Sequence, residues 1–234
     1  MKGLSMFAAL AAMAIMASSA LAQPYNVRGG FNAWGESPMN DDGDGTFSLT
    51  LGSLGAGSRF EWKVAQNDWA FNVPGSNVKS AADGSGSMTF HFRPGPIADG
   101  WNPGQDRVGY DDPGQFTWEI QGAFNNWDET VNSPARQMTN MGSGLYSVDY
   151  TIASPGSYDF KFRETNSWDV SIGGDFGNGA GNANVVTTNP NEIVRFELDL
   201  PNGRWRTSVV PEPGTLALLG LGGLAVIRNR RRAR

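Results

Sequence analysis

Tryptophans are the residues of this chain best suited to bind a ligand, and four of its eight occur in two similar contexts. Trp34 and Trp127 each end a Gly-x-Phe-Asn-x-Trp motif, and Trp69 and Trp168 follow later in polar surroundings. A flat indole packs well against the apolar face of a pyranose ring, while nearby polar groups hydrogen bond to the sugar hydroxyls. The competing interpretation is structural, because tryptophan is usually largely buried and the motif would then close one end of a β-sandwich. We assign Trp62, Trp118 and Trp205 to the core.

The elements that must position these rings occur in two copies. Three pairs of segments match in the same order: residues 27–34 with 120–127, 45–48 with 144–147, and 57–64 with 156–162. The spacing between them drifts only by small steps, as loop insertions would produce. The chain therefore contains two copies of one module.

Each copy alternates apolar and polar residues with a period of two. In the second copy Phe160 and Phe162 alternate with Lys161 and Arg163, which is the pattern of a half-buried strand. The 31 glycines and the Asn- and Asp-rich segments indicate many tight turns, and there is no cysteine to staple the fold. We therefore predict an all-β chain built of β-sandwiches, with the boundary near the Asp-Asp-Pro-Gly segment at 111–114. The predicted modules are residues 23–112 and 113–209.

The first residues have the three parts of a secretory signal peptide. Lys2 precedes an apolar run over residues 4–16, and small residues follow up to Ala22. We expect residues 1–22 to be removed. A retained membrane anchor is the weaker alternative, because the run is short and no stop-transfer pattern follows it.

The other end contains Pro211, Glu212 and Pro213, an apolar glycine-rich stretch at 215–227, and a cluster of arginines. A helix over those thirteen apolar residues spans about 20 Å, short of the ~30 Å hydrocarbon core. The arginines should remain in the cytoplasm. We therefore predict a transient anchor with a short transmembrane segment.

This ending resembles the PEP-CTERM sorting signal of Gram-negative bacteria that make extracellular polysaccharide. The resemblance implies that residues 210–234 form a sorting tail, and that an exosortase in the inner membrane recognises the Pro-Glu-Pro motif. The protein would then be anchored only transiently in that membrane and would reach the cell surface or the extracellular matrix.

Removing both ends leaves a strongly acidic protein. Lys2 and five tail arginines belong to the end segments, so 12 of the 18 basic residues remain against 23 acidic ones. Nucleic acid is excluded as a partner, because phosphate binding requires a basic surface. Uncharged ligands fit this surface better.

The motifs of the repeat resemble the early-set immunoglobulin-like starch- and glycogen-binding modules, including carbohydrate-binding family 48 and the modules beside pullulanases. The resemblance rests on Gly-x-Phe-Asn-x-Trp, Gly-x-Tyr-x-Phe-Lys-Phe and a further Trp, and it is closer in the second copy. It implies two tandem immunoglobulin-like (E-set) β-sandwich modules that bind an α-glucan-like polysaccharide. Carried over by motif, the implied contact residues are Trp127, Lys161, Trp168 and Asn184 (or Asn182) in the second copy, and Trp34, Lys63, Trp69 and Asn77 in the first. Alternation places both lysines on the strand face away from the core.

No enzyme motif is present. His91 is the only histidine, and the sequence has no nucleophile elbow and no metal-ligand cluster. Residues 40–45 imitate half of a calcium loop through Asp42 and Asp44, but position twelve would be Leu51 and the flanks are strands. A hairpin turn is the simpler interpretation, and we expect no catalytic residue, metal or other cofactor.

Two hypotheses follow for the mature protein. The first is a non-catalytic carbohydrate-binding protein, and the second is a structural or adhesive matrix protein with the same fold and no sugar site. A shared exposed patch of Trp127, Lys161 and Trp168 favours the first, whereas buried indoles favour the second.

Overall fold

The structure is a computed structural model that describes residues 25–128 and 134–211. Its strands are, in chain order, β1 (Asn26–Gly29), β2 (Ser37–Pro38), β3 (Asn40–Asp41), β4 (Phe47–Leu51), β5 (Arg59–Ala65), β6 (Asn72–Ala81), β7 (Met88–Arg93), β8 (Arg107–Tyr110), β9 (Trp118–Gly122), β10 (Thr139–Gly142), β11 (Leu145–Ile152), β12 (Gly156–Glu164), β13 (Ser171–Ile172), β14 (Ala183–Thr187), β15 (Glu192–Asp199) and β16 (Arg204–Val209). The helical elements of this part of the chain are three single 3-10 turns at Gly30–Asn32, Ala123–Asn125 and Pro134–Arg136. The predicted all-β class is confirmed.

None of these helical turns is long or apolar enough to cross a membrane. The predicted signal peptide, residues 1–22, and the predicted short transmembrane segment lie outside the described residues.

The strands form four antiparallel sheets of four strands each. Sheet A has the order β2-β1-β5-β6 and sheet B the order β3-β4-β7-β8. Sheet C has the order β10-β11-β15-β16, and in sheet D β12 pairs with β9, β13 and β14. Strands of sheets A and B therefore interleave along the first half of the chain, as those of C and D do along the second.

In the number and size of its sheets the arrangement is like a four-bladed β-propeller, and the predicted pair of immunoglobulin-like sandwiches is not confirmed. The physical reason is that alternation marks which face of a strand is apolar. It specifies neither the partner of each strand nor the way in which whole sheets are set around one another.

Buried aromatic rings connect the sheets within each half. Trp62 of β5 packs edge-on against Phe90 of β7, with ring centroids 4.8 Å apart, and so joins sheet A to sheet B. Phe160 of β12 packs against Phe196 of β15 at 5.0 Å and joins sheet D to sheet C. These residues lie on the apolar faces that alternation predicts, and each is fully buried.

The two halves also contact each other. Trp101, in the connection between β7 and β8, lies beside the guanidinium groups of Arg204 and Arg206, at 4.4 and 4.2 Å from the ring centroid. Asn102 and Trp205 form an antiparallel bridge between the halves. The connection that carries Trp101 therefore packs on β16 of the second half.

Candidate functional site

The Gly-x-Phe-Asn-x-Trp motif of the first half is a closed turn after β1. The Asn32 side-chain oxygen accepts a hydrogen bond from the Gly29 amide at 3.0 Å, and the Trp34 amide donates to the Gly29 carbonyl at 2.9 Å. A Cβ on Gly29 would lie 2.7 Å from both the Glu61 carbonyl oxygen and the Phe31 ring. The motif thus needs glycine for space and asparagine to close the turn.

The second half repeats this turn after β9. Asn125 accepts a hydrogen bond from the Gly122 amide at 3.1 Å, and the Trp127 amide donates to the Gly122 carbonyl at 3.0 Å. The Phe124 ring packs towards the core against Phe196, with centroids 5.7 Å apart. The turn therefore anchors one aromatic ring inside and presents the next one outside.

Three of the four predicted site tryptophans have left-handed backbone conformations. The φ angles are 65° at Trp34, 63° at Trp69 and 55° at Trp127. Bulky residues rarely adopt positive φ, and such strain persists only where the surrounding structure imposes it. At Trp34 and Trp127 the hydrogen bonds of the Gly-x-Phe-Asn-x-Trp turn impose the positive φ angle.

The four tryptophans form two pairs with nearly the same geometry. The Trp34 and Trp69 rings have centroids 6.4 Å apart and planes inclined by 43°. For Trp127 and Trp168 the values are 6.0 Å and 42°. We call these the first and second indole pairs.

The indole pairs lie at the surface. Trp69 and Trp168 are 38% and 37% exposed, and Trp34 and Trp127 are half-buried. By contrast, Trp62, Trp118 and Trp205 are buried, as predicted. The purely structural interpretation requires both indoles of the second pair to be buried. In the structure they are not buried.

A buried arginine supports one ring of each pair, and sequence reasoning missed both. The Arg28 guanidinium of β1 lies 4.6 Å from the Trp69 ring centroid, and that of Arg163 in β12 lies 4.5 Å from the Trp168 centroid. A cation over an indole face is attracted by the ring's quadrupole. Because the two arginines come from non-equivalent strands, the repeat itself gives no signal for them.

The two predicted lysines have different surroundings. Lys161 is half-buried, and no hydrogen-bond acceptor among residues 25–128 and 134–211 contacts its ammonium group. Burial lowers its pKa, and the nearby Asp175 carboxylate opposes that shift. Lys161 thus retains donors for a ligand.

Lys63 faces away from the core, as alternation predicts, but it is only 8% exposed because β6 covers it. Its ammonium donates to the Asn72 side chain at 3.1 Å and to the Gly75 carbonyl at 3.2 Å. Burial lowers the pKa of Lys63 too. The prediction that Lys63 is exposed is therefore wrong.

The predicted asparagines each donate to a carboxylate on a neighbouring strand. The Asn184 amide donates to Asp159 at 3.1 Å, and the Asn77 amide donates to Glu61 at 3.0 Å. Each acceptor stands two residues before the predicted lysine of its strand. Asn184 lies directly opposite its acceptor in the β12–β14 pairing, whereas the residue opposite Glu61 in the β5–β6 pairing is Lys79.

On sheet D the structure brings several predicted residues to one surface. Lys161 and Arg163 lie two residues apart in β12 and share a face, and Arg163 contacts Trp168 of the second indole pair. Gln121, opposite Lys161 in β9, donates to the Asp128 carbonyl at 2.6 Å beside Trp127. This surface combines two indoles with the half-buried ammonium group of Lys161, while the buried Gln121 fixes the backbone beside Trp127, and the arrangement is suited to polyhydroxylated ligands.

The remaining candidate polar groups are occupied locally. Asp42 accepts a hydrogen bond from Ser48 at 2.7 Å, and Asp44 accepts one from Thr46 at 2.6 Å, as in a hairpin turn. His91 pairs with Asp111 at 2.8 Å. The described ranges contain no group of three or more side chains placed to hold a metal ion.

The end of the fold leads directly into the predicted tail. Val209 is the last residue of β16, and the Val210 amide donates to the Ile193 carbonyl at 2.8 Å. Residues 209–232 match the PEP-CTERM protein-sorting motif. The chain carries a PEP-CTERM sorting motif.

This motif implies export, C-terminal membrane anchoring, processing by an exosortase, and sorting to the cell surface. Of its three named residues, Pro211 lies at the end of the described chain, and Glu212 and Pro213 lie outside it.

No curated protein matches the sequence. Among solved structures, pullulanase from Bacillus acidopullulyticus aligns with 74% of this chain at 13% identity and a TM-score of 0.32. The chain spans only 18% of the length of that enzyme.

Proposed function

We propose that the mature protein is a non-catalytic carbohydrate-binding protein, displayed at the cell surface or in the extracellular matrix after exosortase processing. Its partner is a glucan-like polysaccharide. The observation that carries the proposal is the duplicated pair of surface indoles, whose centroid separations differ by only 0.4 Å between the halves.

The second half is the stronger binding site. It offers the Trp127–Trp168 pair together with the available ammonium group of Lys161, and Asn184 lies on the same sheet. Such a surface stacks against the apolar face of a sugar and supplies donors and acceptors for its hydroxyls.

The first half fits the alternative, structural role better. Lys63 is used internally by Asn72 and Gly75, and Asn77 contributes its carbonyl to a contact with Asn178 of the second half. A matrix protein with one working module and one scaffolding module is consistent with this asymmetry.

We further propose that sheets A and B form one module and sheets C and D the other, with the boundaries 23–112 and 113–209 and the tandem immunoglobulin-like architecture of the starch- and glycogen-binding modules. The aromatic contacts of Trp62 with Phe90 and of Phe160 with Phe196 support this grouping.

The test is affinity electrophoresis of residues 23–211 through gels containing glycogen, starch or the host's own polysaccharide. We expect retardation in at least one gel, and Trp168→Ala should weaken the affinity about ten-fold, as expected for the loss of one stacked aromatic ring. Met141→Ala, which removes an exposed apolar side chain on sheet C, is the matched control. Unchanged mobility of the wild-type protein in all the gels would contradict the proposal.

A further inference from the structure

Trp168 lies in a tight turn that connects β12 to β13. The Glu164 amide donates to the Val170 carbonyl at 2.9 Å, and the Ser167 amide donates back to the Glu164 carbonyl at 3.0 Å. Glu164 and Asp169 therefore stand at the base of this turn, on either side of the indole.

Both base carboxylates are held by the first half. Arg59 of β5 donates to both oxygens of Glu164 at 2.7 Å and to Asp169 at 2.7 Å, and Lys79 of β6 donates to Asp169. The Arg59 guanidinium also lies 5.0 Å from the Phe116 ring centroid. A bidentate arginine within a network of four charges fixes geometry better than isolated surface ion pairs do.

The first indole pair has no comparable support in the described parts of the second half. Its Trp69 turn is held within the first half, where Arg28 donates to the Asn67 carbonyl at 2.8 Å and stacks on the indole. The two halves are therefore not interchangeable: the Trp69 turn is held by its own half alone, whereas the Trp168 turn is held by Arg163 of its own half and also by Arg59 and Lys79 of the first half.

We propose that Arg59 and Lys79 are positioning residues for Trp168, so that the first half sets the geometry of the ligand-binding surface of the second half. This inference rests on the proposed function. Neither residue needs to touch a ligand, since both act through Glu164 and Asp169. The two modules then bind as a unit.

Other contacts keep the halves together when this network is removed. The amides and carbonyls of Asn102 and Trp205 exchange hydrogen bonds of 2.8 and 2.7 Å, and the Tyr110 amide donates to the Leu200 carbonyl at 3.0 Å. Loss of Arg59 and Lys79 should therefore loosen the Trp168 turn without separating the modules.

The first test compares residues 23–211 with the Arg59→Gln/Lys79→Gln variant by affinity electrophoresis. We expect the variant to bind about two- to five-fold more weakly, as the loss of about 0.5–1 kcal/mol implies. Arg195→Gln, which breaks the exposed Arg195–Asp149 pair within the second half, should bind as the wild type does. Equal retardation of the double variant and the wild type would overturn the inference.

A second measurement separates this inference from the proposed function. Acrylamide quenching of Trp168, taken as the difference between each protein and its Trp168→Phe counterpart, should increase in the double variant. Unchanged quenching would overturn the positioning role whether or not sugar binds. Increased quenching in a protein that no gel retards would support positioning and contradict only the carbohydrate proposal.

Discussion

At the scale of single residues, the glycine before the second 3-10 turn is required by the space around it. Gly122 has an extended backbone with φ of −171°, so its conformation suits any residue. A Cβ there would lie 2.6 Å from the Asp159 carbonyl oxygen and 2.7 Å from the Phe124 ring. We expect Gly122→Ala to lower the free energy of unfolding by about 1–3 kcal/mol, the usual effect of overpacking.

Urea denaturation checks this prediction. Gly84→Ala is the matched control, because a Cβ at Gly84 has no atom within 4 Å. Equal stability of the two variants would show that the close approach at Gly122 relaxes at no cost.

The arginine beneath Trp168 is also part of a buried ion pair. Arg163 donates to Glu119 at 2.7 Å, and the Glu119 side chain is 0% exposed. Arg163→Met leaves this carboxylate buried without its cation, so we expect a loss of about 3–5 kcal/mol of unfolding free energy. The double variant Arg163→Met/Glu119→Leu should recover most of that loss in thermal or urea unfolding. A double variant no more stable than the single one would contradict this account.

The sequence predicts the exposure of some side chains but not of others, as Trp168 and Lys63 show. Trp168 follows a strand among polar residues, and this local signal suffices to place it at the surface. Lys63 follows the same alternation as Lys161, but its exposure depends on how β6 pairs with β5. The register of that pairing shifts between Trp62 and Val64. Asn72 and Gly75 then lie over the Lys63 ammonium group. Alternation carries no information about such a shift.

At the scale of elements, one carboxylate of the connection between β7 and β8 joins two arginines. Asp99 accepts two hydrogen bonds from Arg107 at 2.8 Å and lies 3.2 Å from Arg204 of the second half. Hydrogen bonding by Arg107 holds the Asp99 pKa well below its ordinary value of 3.8. The resulting stabilisation is complete above that ordinary value and is lost as the pH falls through the lower pKa of the folded state.

We therefore expect strong acid to weaken the Asp99 contacts that order Trp101 and Arg204, while the backbone hydrogen bonds of Asn102 with Trp205 keep the connection on β16. The measurement is the fluorescence of Trp101, taken as the difference from Trp101→Phe, during titration from pH 5 downwards. Asp99→Asn removes the titrating group and should abolish that transition. The same acid transition in Asp99→Asn and wild-type protein would show that another group controls the contact.

Elements are more predictable than their arrangement. Alternation gives the buried faces of β12 and β15, because each strand carries enough apolar residues to mark one side. It fails to predict that sheet A takes β1, β2, β5 and β6 while sheet B takes the strands between and after them. Strand partners depend on contacts distant in sequence, which short-range patterns do not encode.

At the scale of the whole molecule, the fold leaves little chain between itself and the membrane anchor. Val210 donates the last backbone hydrogen bond before the tail within the described residues. The apolar stretch begins at residue 215. Four residues span at most about 14 Å, whereas the headgroup layer on each side of a bilayer takes about 5–8 Å. The edge of sheet C is therefore held close to the membrane while the tail is anchored, and the Pro-Glu-Pro motif adjoins a paired strand.

This proximity predicts that the fold slows its own processing, because the enzyme must reach a segment that begins at the sheet edge. Inserting six Gly and Ser residues between Val210 and Pro211 should accelerate C-terminal cleavage in a pulse-chase experiment in the producing cell. The same insertion at the exposed turn of Gly84 and Ser85 leaves the tail unchanged and should have no effect. If the tail insertion leaves the cleavage rate unchanged or lowers it, the enzyme acts before the second half folds, or it needs the strand edge as part of its substrate.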